Sequence, residues 1–176
     1  MTRAMTMAIL RTQLPDGGFA VLPARPPLEA SRFSATALSI RALQLYGEDC
    51  GDKISKARDW LRQARPVTQE DRAMKLLGLA WSKADGKDIE HAAADLLAQQ
   101  RRDGGWAQLA DLESDAYSTG QALVALQEVG ALTPEDKAHQ HATAYLLRTQ
   151  LADGVLRRFR LELTGRRDVW HQRQVD

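Results

Sequence analysis

The sequence predicts an all-α protein built from repeated helical hairpins, and three observations predict it. One phrase occurs three times, as Gln13-Leu14-Pro15-Asp16-Gly17-Gly18-Phe19, Gln100-Arg101-Arg102-Asp103-Gly104-Gly105-Trp106 and Gln150-Leu151-Ala152-Asp153-Gly154-Val155-Leu156. A second text recurs between the copies, since Ser34 to Gln44 and Ser118 to Gln127 share a Ser-x-Thr/Ala-Leu-x-Ala-Leu-Gln character. Strand signals are absent. Recurrence at a spacing of tens of residues marks a repeat architecture.

Each element has a local reason. Residues 2–13, 87–100 and 135–150 are helices rich in Ala, Leu and long straight-chain residues, which lose little rotamer freedom on helix formation. Each runs into an Asp-Gly pair, and glycine stops a helix because it takes positive φ without a Cβ clash. Residues 53–65 form a fourth, degenerate copy, with Lys56, Ala57, Trp60 and Leu61 in place but Pro66 where the glycine should be. Residues 34–47 and 116–129 stop at Gly47 and Gly130. Residues 69–82 contain Met74, Leu76, Leu77, Leu79 and Ala80 and are apolar around most of the circumference, which demands burial on all sides. The odd-numbered helices carry charge on one side and lie outside; the even-numbered ones lie inside. Loops 14–33, with Pro23, Pro26 and Pro27, and 101–114 follow outer helices and are long enough to carry function. The Arg-rich text after Gly154 breaks the pattern, so the domain is placed at 1–154 and residues 155–176 are read as a basic tail, non-native or disordered.

The chain has 176 residues, enough to bury one sizeable core. Twenty-four Lys and Arg against 23 Asp and Glu give no field that favours nucleic acid. Cys50 is the only cysteine, which excludes an internal disulfide and a multi-cysteine metal cluster. His139 and His141, two apart on a helix, diverge, and no metal site or cofactor is expected. The first ten residues are too short in apolar length for a signal peptide, and no run reaches a membrane span. A soluble, cytoplasmic protein is the expectation.

With its lead-in, the phrase resembles the QW motif of squalene-hopene and oxidosqualene cyclases. Ala92, Leu96, Gln100, Gly104 and Trp106 fall at the motif's spacings. Ala142, Tyr145, Leu146, Gln150 and Gly154 match again, as do Ile9, Gln13, Gly17 and Phe19, while Trp60 belongs to the front half kept by the second copy. The resemblance implies the α/α toroid of terpenoid cyclases and protein prenyltransferases. A closed toroid of that family has about six hairpins; three hairpins and an extra outer helix make an open arc or partial toroid here. It also implies that the Gln bonds carbonyls at its own helix end or in the next repeat, with the aromatic packed beside it.

Such cyclases protonate their substrate with the middle Asp of an Asp-rich motif at the start of an inner helix. The matching stretch is Glu113-Ser114-Asp115-Ala116-Tyr117, which makes Asp115 the catalytic candidate, although Ala116 replaces the neighbouring Asp and the residue reads first as a helix cap that accepts the amide hydrogen of Ser118 or a near neighbour. The comparable place in the first hairpin is Arg32, which cannot serve. Cyclases also hold carbocations over aromatic faces, so Tyr117 and Trp81 become candidate substrate contacts, with packing or capping as the alternative for aromatics at helix ends. Arg101 and Arg102 are either a solvated charged face or an anion contact.

The implied function is a cyclase-like repeat domain that contributes an apolar cavity for an isoprenoid or other lipid and is inactive alone. If the chain is an enzyme, its class is isomerase or lyase. The rival is a scaffold that binds a protein, a second copy or the missing remainder of the toroid. The inner-helix face discriminates: small and polar residues such as Ser39, Thr119 and Gln121 favour a scaffold or polar ligand, and a continuous apolar lining favours lipid.

Overall fold

The computed structural model describes residues 2–21 and 31–150. Gly154, the basic tail and Pro23, Pro26 and Pro27 of the first loop lie outside them. Seven α-helices occur among the described residues: α1 (Thr2–Leu10), α2 (Arg32–Tyr46), α3 (Gly51–Gln63), α4 (Gln69–Trp81), α5 (Gly86–Leu97), α6 (Ala116–Glu128) and α7 (Lys137–Thr149). Between described residues, isolated β-bridges pair Gln13 with Phe19 and Trp106 with Asp115. The chain is an all-α helical repeat, with every predicted helix present.

Boundaries shift where side chains compete for the helix end. Helix α2 starts two residues early because Ser31 accepts from the amides of Phe33 and Ser34. Helix α4 opens on a capping box, Thr68 accepting from the Asp71 amide and Asp71 returning to the Thr68 amide. Helix α5 ends at Leu97 because residues 98–100 tighten into turns that bond back to Ala94, Leu96 and Leu97.

The helices form two layers. Helix α4 sits at the centre of the inner layer, packed between α2 and α6, and α3 and α5 cover its other side. Its Ala73, Leu76 and Leu79 are almost wholly buried, joined by Ile40 and Leu43 of α2, Leu61 of α3, Leu96 of α5 and Leu126 of α6. Gly78 lets α2 approach closely, since a Cβ there would fall 3.0 Å from the Ala37 methyl and 2.6 Å from Leu61. The outer helices meet one another through point contacts: Gln13 with Lys53, Arg62 with Asp88 and Gln100 with Ala138.

The recurring phrase is one structure built twice. Gln13 Nε2 donates to Gly17 O at 3.0 Å and Lys53 O at 2.9 Å; Gln100 Nε2 donates to Gly104 O at 3.0 Å and Ala138 O at 2.8 Å. Each glutamine therefore holds its own turn and the first turn of the next outer helix. Asp16 and Asp103 accept from the amides of Gly18 and Gly105. The amides of Phe19 and Trp106 donate to Thr36 and Thr119 on the following inner helix, and both rings are wholly buried. Gly17 and Gly104 have φ of 97° and 90°, and a Cβ on either would lie 2.4 Å from a carbonyl oxygen of the next outer helix, Lys56 or His141. Both backbone conformation and space require glycine.

Candidate functional site

One side of the inner layer faces away from the outer helices and is not covered by them. Helix α2 presents Ser34, Leu38, Arg41 and Leu45 there, and α6 presents Tyr117, Gln121, Val124 and Glu128, each at the i, i+4, i+7, i+11 spacing of one helix face. On α4 the same spacing gives Glu70, Met74, Leu77 and Trp81. Leu38 is 57% exposed and Val124 62%, whereas Met74 and Leu77 retain only 8% and 7%. The middle of this face holds Leu38, Met74, Leu77 and Val124 beside Arg41 and Gln121; its N-terminal end, Ser34, Glu70 and Tyr117, is polar, and its other end mixes Leu45 and Trp81 with Glu128.

The inner helices are parallel, and their N-terminal ends meet at the polar end. Ser34 Oγ donates to Glu70 there, and Ser31 Oγ donates to Asp71 Oδ1 at 2.6 Å. Burial pushes the Glu70 carboxyl above its ordinary value; the Ser34 hydrogen bond offsets part of this, and the neighbouring Asp71 adds to it. Tyr117 is raised by burial first and by Glu70 and Asp115 next, while its hydrogen bond with Gln121 works the other way. Both long loops attach at this end, through Arg32 on Asp16 and the Gln108 carbonyl on the Gln69 amide.

Asp115 is buried at the start of α6. Its Oδ1 accepts from the Ser118 amide at 2.8 Å and its Oδ2 from the Ser118 hydroxyl at 2.9 Å, so both oxygens serve the helix cap. Tyr117, two residues on, is half-exposed on the open face. Trp81 lies at the other end of α4, eleven residues from Glu70, or about 16 Å along a helix. Arg41 stacks on its ring at 5.6 Å, and its carbonyl accepts from Gln44. Asp115 and Tyr117 are thus brought together, and Trp81 is not brought to them.

The repeat residues lie elsewhere, in the turns between layers. Trp60 packs on Gly18 and stacks with Phe33 at 4.9 Å, and Arg32 covers its ring at 4.7 Å while pairing with Asp16 at 2.8 Å. Burial alone would raise Asp16, but the Arg32 guanidinium and the Gly18 amide outweigh it and hold the carboxyl below its ordinary value. Gln150 follows α7 as its C-cap residue. Of the three small or polar residues expected on the inner face, Gln121 is there, Thr119 is wholly buried beneath the Trp106 amide, and Ser39 is half-buried.

Arg101 is half-buried, and its guanidinium donates to the carbonyls of Leu109, Ala110 and Leu112, so it shapes its own loop. Cys50 is buried at the start of α3, with its thiol on the Glu48 carbonyl. No group of three His, Cys, Asp or Glu side chains among the described residues converges to hold a metal, and no described helix is long and apolar enough to cross a membrane. Sequence reasoning missed Ser34, Glu70 and Arg41 on the face. Their signal is the i, i+4, i+7, i+11 register shared by α2, α4 and α6.

Fold and turns together define a two-layered all-α helical repeat protein. No protein-family model matches the chain, and no curated protein matches it either.

Proposed function

We propose that this is a terpenoid cyclase-like repeat domain whose inner-helix face forms one wall of an apolar cavity for an isoprenoid or similar lipid chain. The observation that carries this reading is the stripe of Leu38, Met74, Leu77 and Val124 beyond a polar N-terminal end. An acyl or prenyl chain laid across α2, α4 and α6 removes Leu38 and Val124 from water, at about 25 cal/mol per Å² of apolar area, over a floor made by the already buried Met74 and Leu77. Ser34, Glu70, Tyr117 and Gln121 meet a polar head at the end where the loops attach. Asp115 has no acid role in this reading, because both its oxygens are engaged by Ser118. The domain binds and does not turn substrate over by itself.

Size-exclusion chromatography with light scattering, with and without squalene and farnesyl diphosphate, tests it. A species that takes up lipid and melts at a higher temperature supports the cavity, and Val124→Glu then abolishes uptake while Asp115→Asn leaves it unchanged.

A second reading, self-association, is favoured by apolar side chains away from the face's centre. Met5, Tyr46 and Leu147 are 61%, 63% and 67% exposed, on α1, α2 and α7. A stable dimer that ignores added lipid would favour this second reading.

A further inference from the structure

Two repeats are closed by a Gly-Gly-aromatic staple, and the one between them is not. Helix α3 is joined to α4 by Ala64 to Thr68, a segment with neither glycine nor aromatic. Aligning the outer helices on Leu61, Leu96 and Leu146 makes His91 the counterpart of Lys56 and His141, against which the glycines press elsewhere. Asp95 becomes the counterpart of Trp60 and Tyr145, which cover the second glycine of each turn. The inner-helix register makes Arg72 the counterpart of Thr36 and Thr119, which hold the aromatic's amide. Those three residues line a cavity of about 530 Å³ between α3, α4 and α5. The space that Phe19 and Trp106 fill in the neighbouring repeats is open in this one.

The lining is cationic. Four basic side chains, Arg62, Arg65, Arg72 and Lys75, line it with one carboxylate, Asp95, while Asp59 and Asp88 pair with Arg62 from outside the lining. Arg62 is held by Asp88 at 2.8 Å, and Arg72 lies 3.3 Å from Asp95 while donating to the carbonyls of Val67 and Thr68. Lys75 donates to the Ala64 carbonyl at 2.8 Å and has no carboxylate in ion-pair reach among the described residues; Arg65 has no partner among them. Burial pulls the Lys75 ammonium below its ordinary value, partly offset by Asp95 and Asp88. The Arg72 guanidinium, fixed by backbone carbonyls, loses little freedom on accepting an anion, and the volume suits a small ligand.

We infer that the unstapled second repeat is a binding site for a small multivalent anion bearing phosphate or carboxylate groups, held by Lys75 and Arg65 with Arg62 and Arg72 at its sides. The site is on the opposite side of α4 from the open face, and it is independent of the lipid reading.

Calorimetric titration of the full chain with pyrophosphate and with citrate, at low salt and with glycerol as the neutral control, tests it. Saturable one-to-one binding of one or both anions, and none of glycerol, is expected. Preference between the two identifies phosphate or carboxylate as the recognised group. Lys75→Gln and Arg65→Glu should each weaken binding about tenfold or more, roughly the worth of one charged contact. Arg65 is exposed, so its variant keeps the fold even if the Lys75 variant does not. Absence of saturable binding, or undiminished binding by a folded Arg65→Glu chain, would overturn the site.

Discussion

Gly104 and Gly120 show how differently two glycines of one repeat act. At Gly104 a Cβ meets the His141 carbonyl and φ is 90°, so Gly104→Ala should cost more than about 1 kcal/mol, the scale of one strained backbone position. Gly120 lies inside α6 with open space around it, and Gly120→Ala should stabilise by about 0.5–1 kcal/mol through helix propensity alone. Urea unfolding of both variants reads the opposite signs. Glu70 gives a pH-dependent counterpart. Its folded pKa is raised above the ordinary 4.5, so its contribution to stability is fully present below that value and is lost as pH rises through the folded pKa. Glu70→Gln should therefore raise the melting temperature at pH 7, with the difference closing as pH falls toward 4. Gly104 was legible in the sequence, because an Asp-Gly after a helix is a local signal. Glu70 was not, because its burial comes from α2 and α6.

At the scale of elements, the staple couples a turn to three helices. Trp106 is wholly buried and its indole N–H donates to the Leu96 carbonyl at 2.9 Å, so Trp106→Ala should cost about 3–5 kcal/mol and broaden the unfolding of α5 to α7. A chemical denaturation curve followed by circular dichroism measures it. The resemblance anticipated the forward reach of Gln13 and Gln100, and a hydrogen-bonding residue at a fixed distance from a glycine turn is readable from text. Helix rotation is not. More than half of each of Leu38, Leu45 and Val124 is exposed, because only packing decides which face of α2 and α6 is covered.

For the whole molecule, the central question is what covers the open face. Leu38→Glu, at an exposed position, should leave the melting temperature within about 0.5 kcal/mol equivalent of the parent. It should also eliminate lipid uptake or dimerisation, whichever the parent displays, and light scattering with and without lipid distinguishes the two. The two-layer order of inner and outer helices was legible from charge on the odd helices and from the apolar residues Met74, Leu76, Leu77, Leu79 and Ala80 of α4. The cavity in the second repeat was legible only as an anomaly, Pro66 in place of a glycine. Its meaning required knowing that Phe19 and Trp106 occupy the matching space in the other repeats.

The glutamine bridges also give the chain a polarity. Gln13 and Gln100 each reach forward to the next outer helix, while the backward bond of Trp106, to Leu96, stays within its own repeat. Deleting α1 would remove its staple along with it and leave α3 with its own hydrogen bonds. Deleting α7 would instead strip the Ala138 and His141 carbonyls from under Gln100 and Gly104, leaving the preceding turn with no surface to close on. Damage from the C-terminal side therefore propagates one repeat further than damage from the N-terminal side, and the repeat array frays asymmetrically.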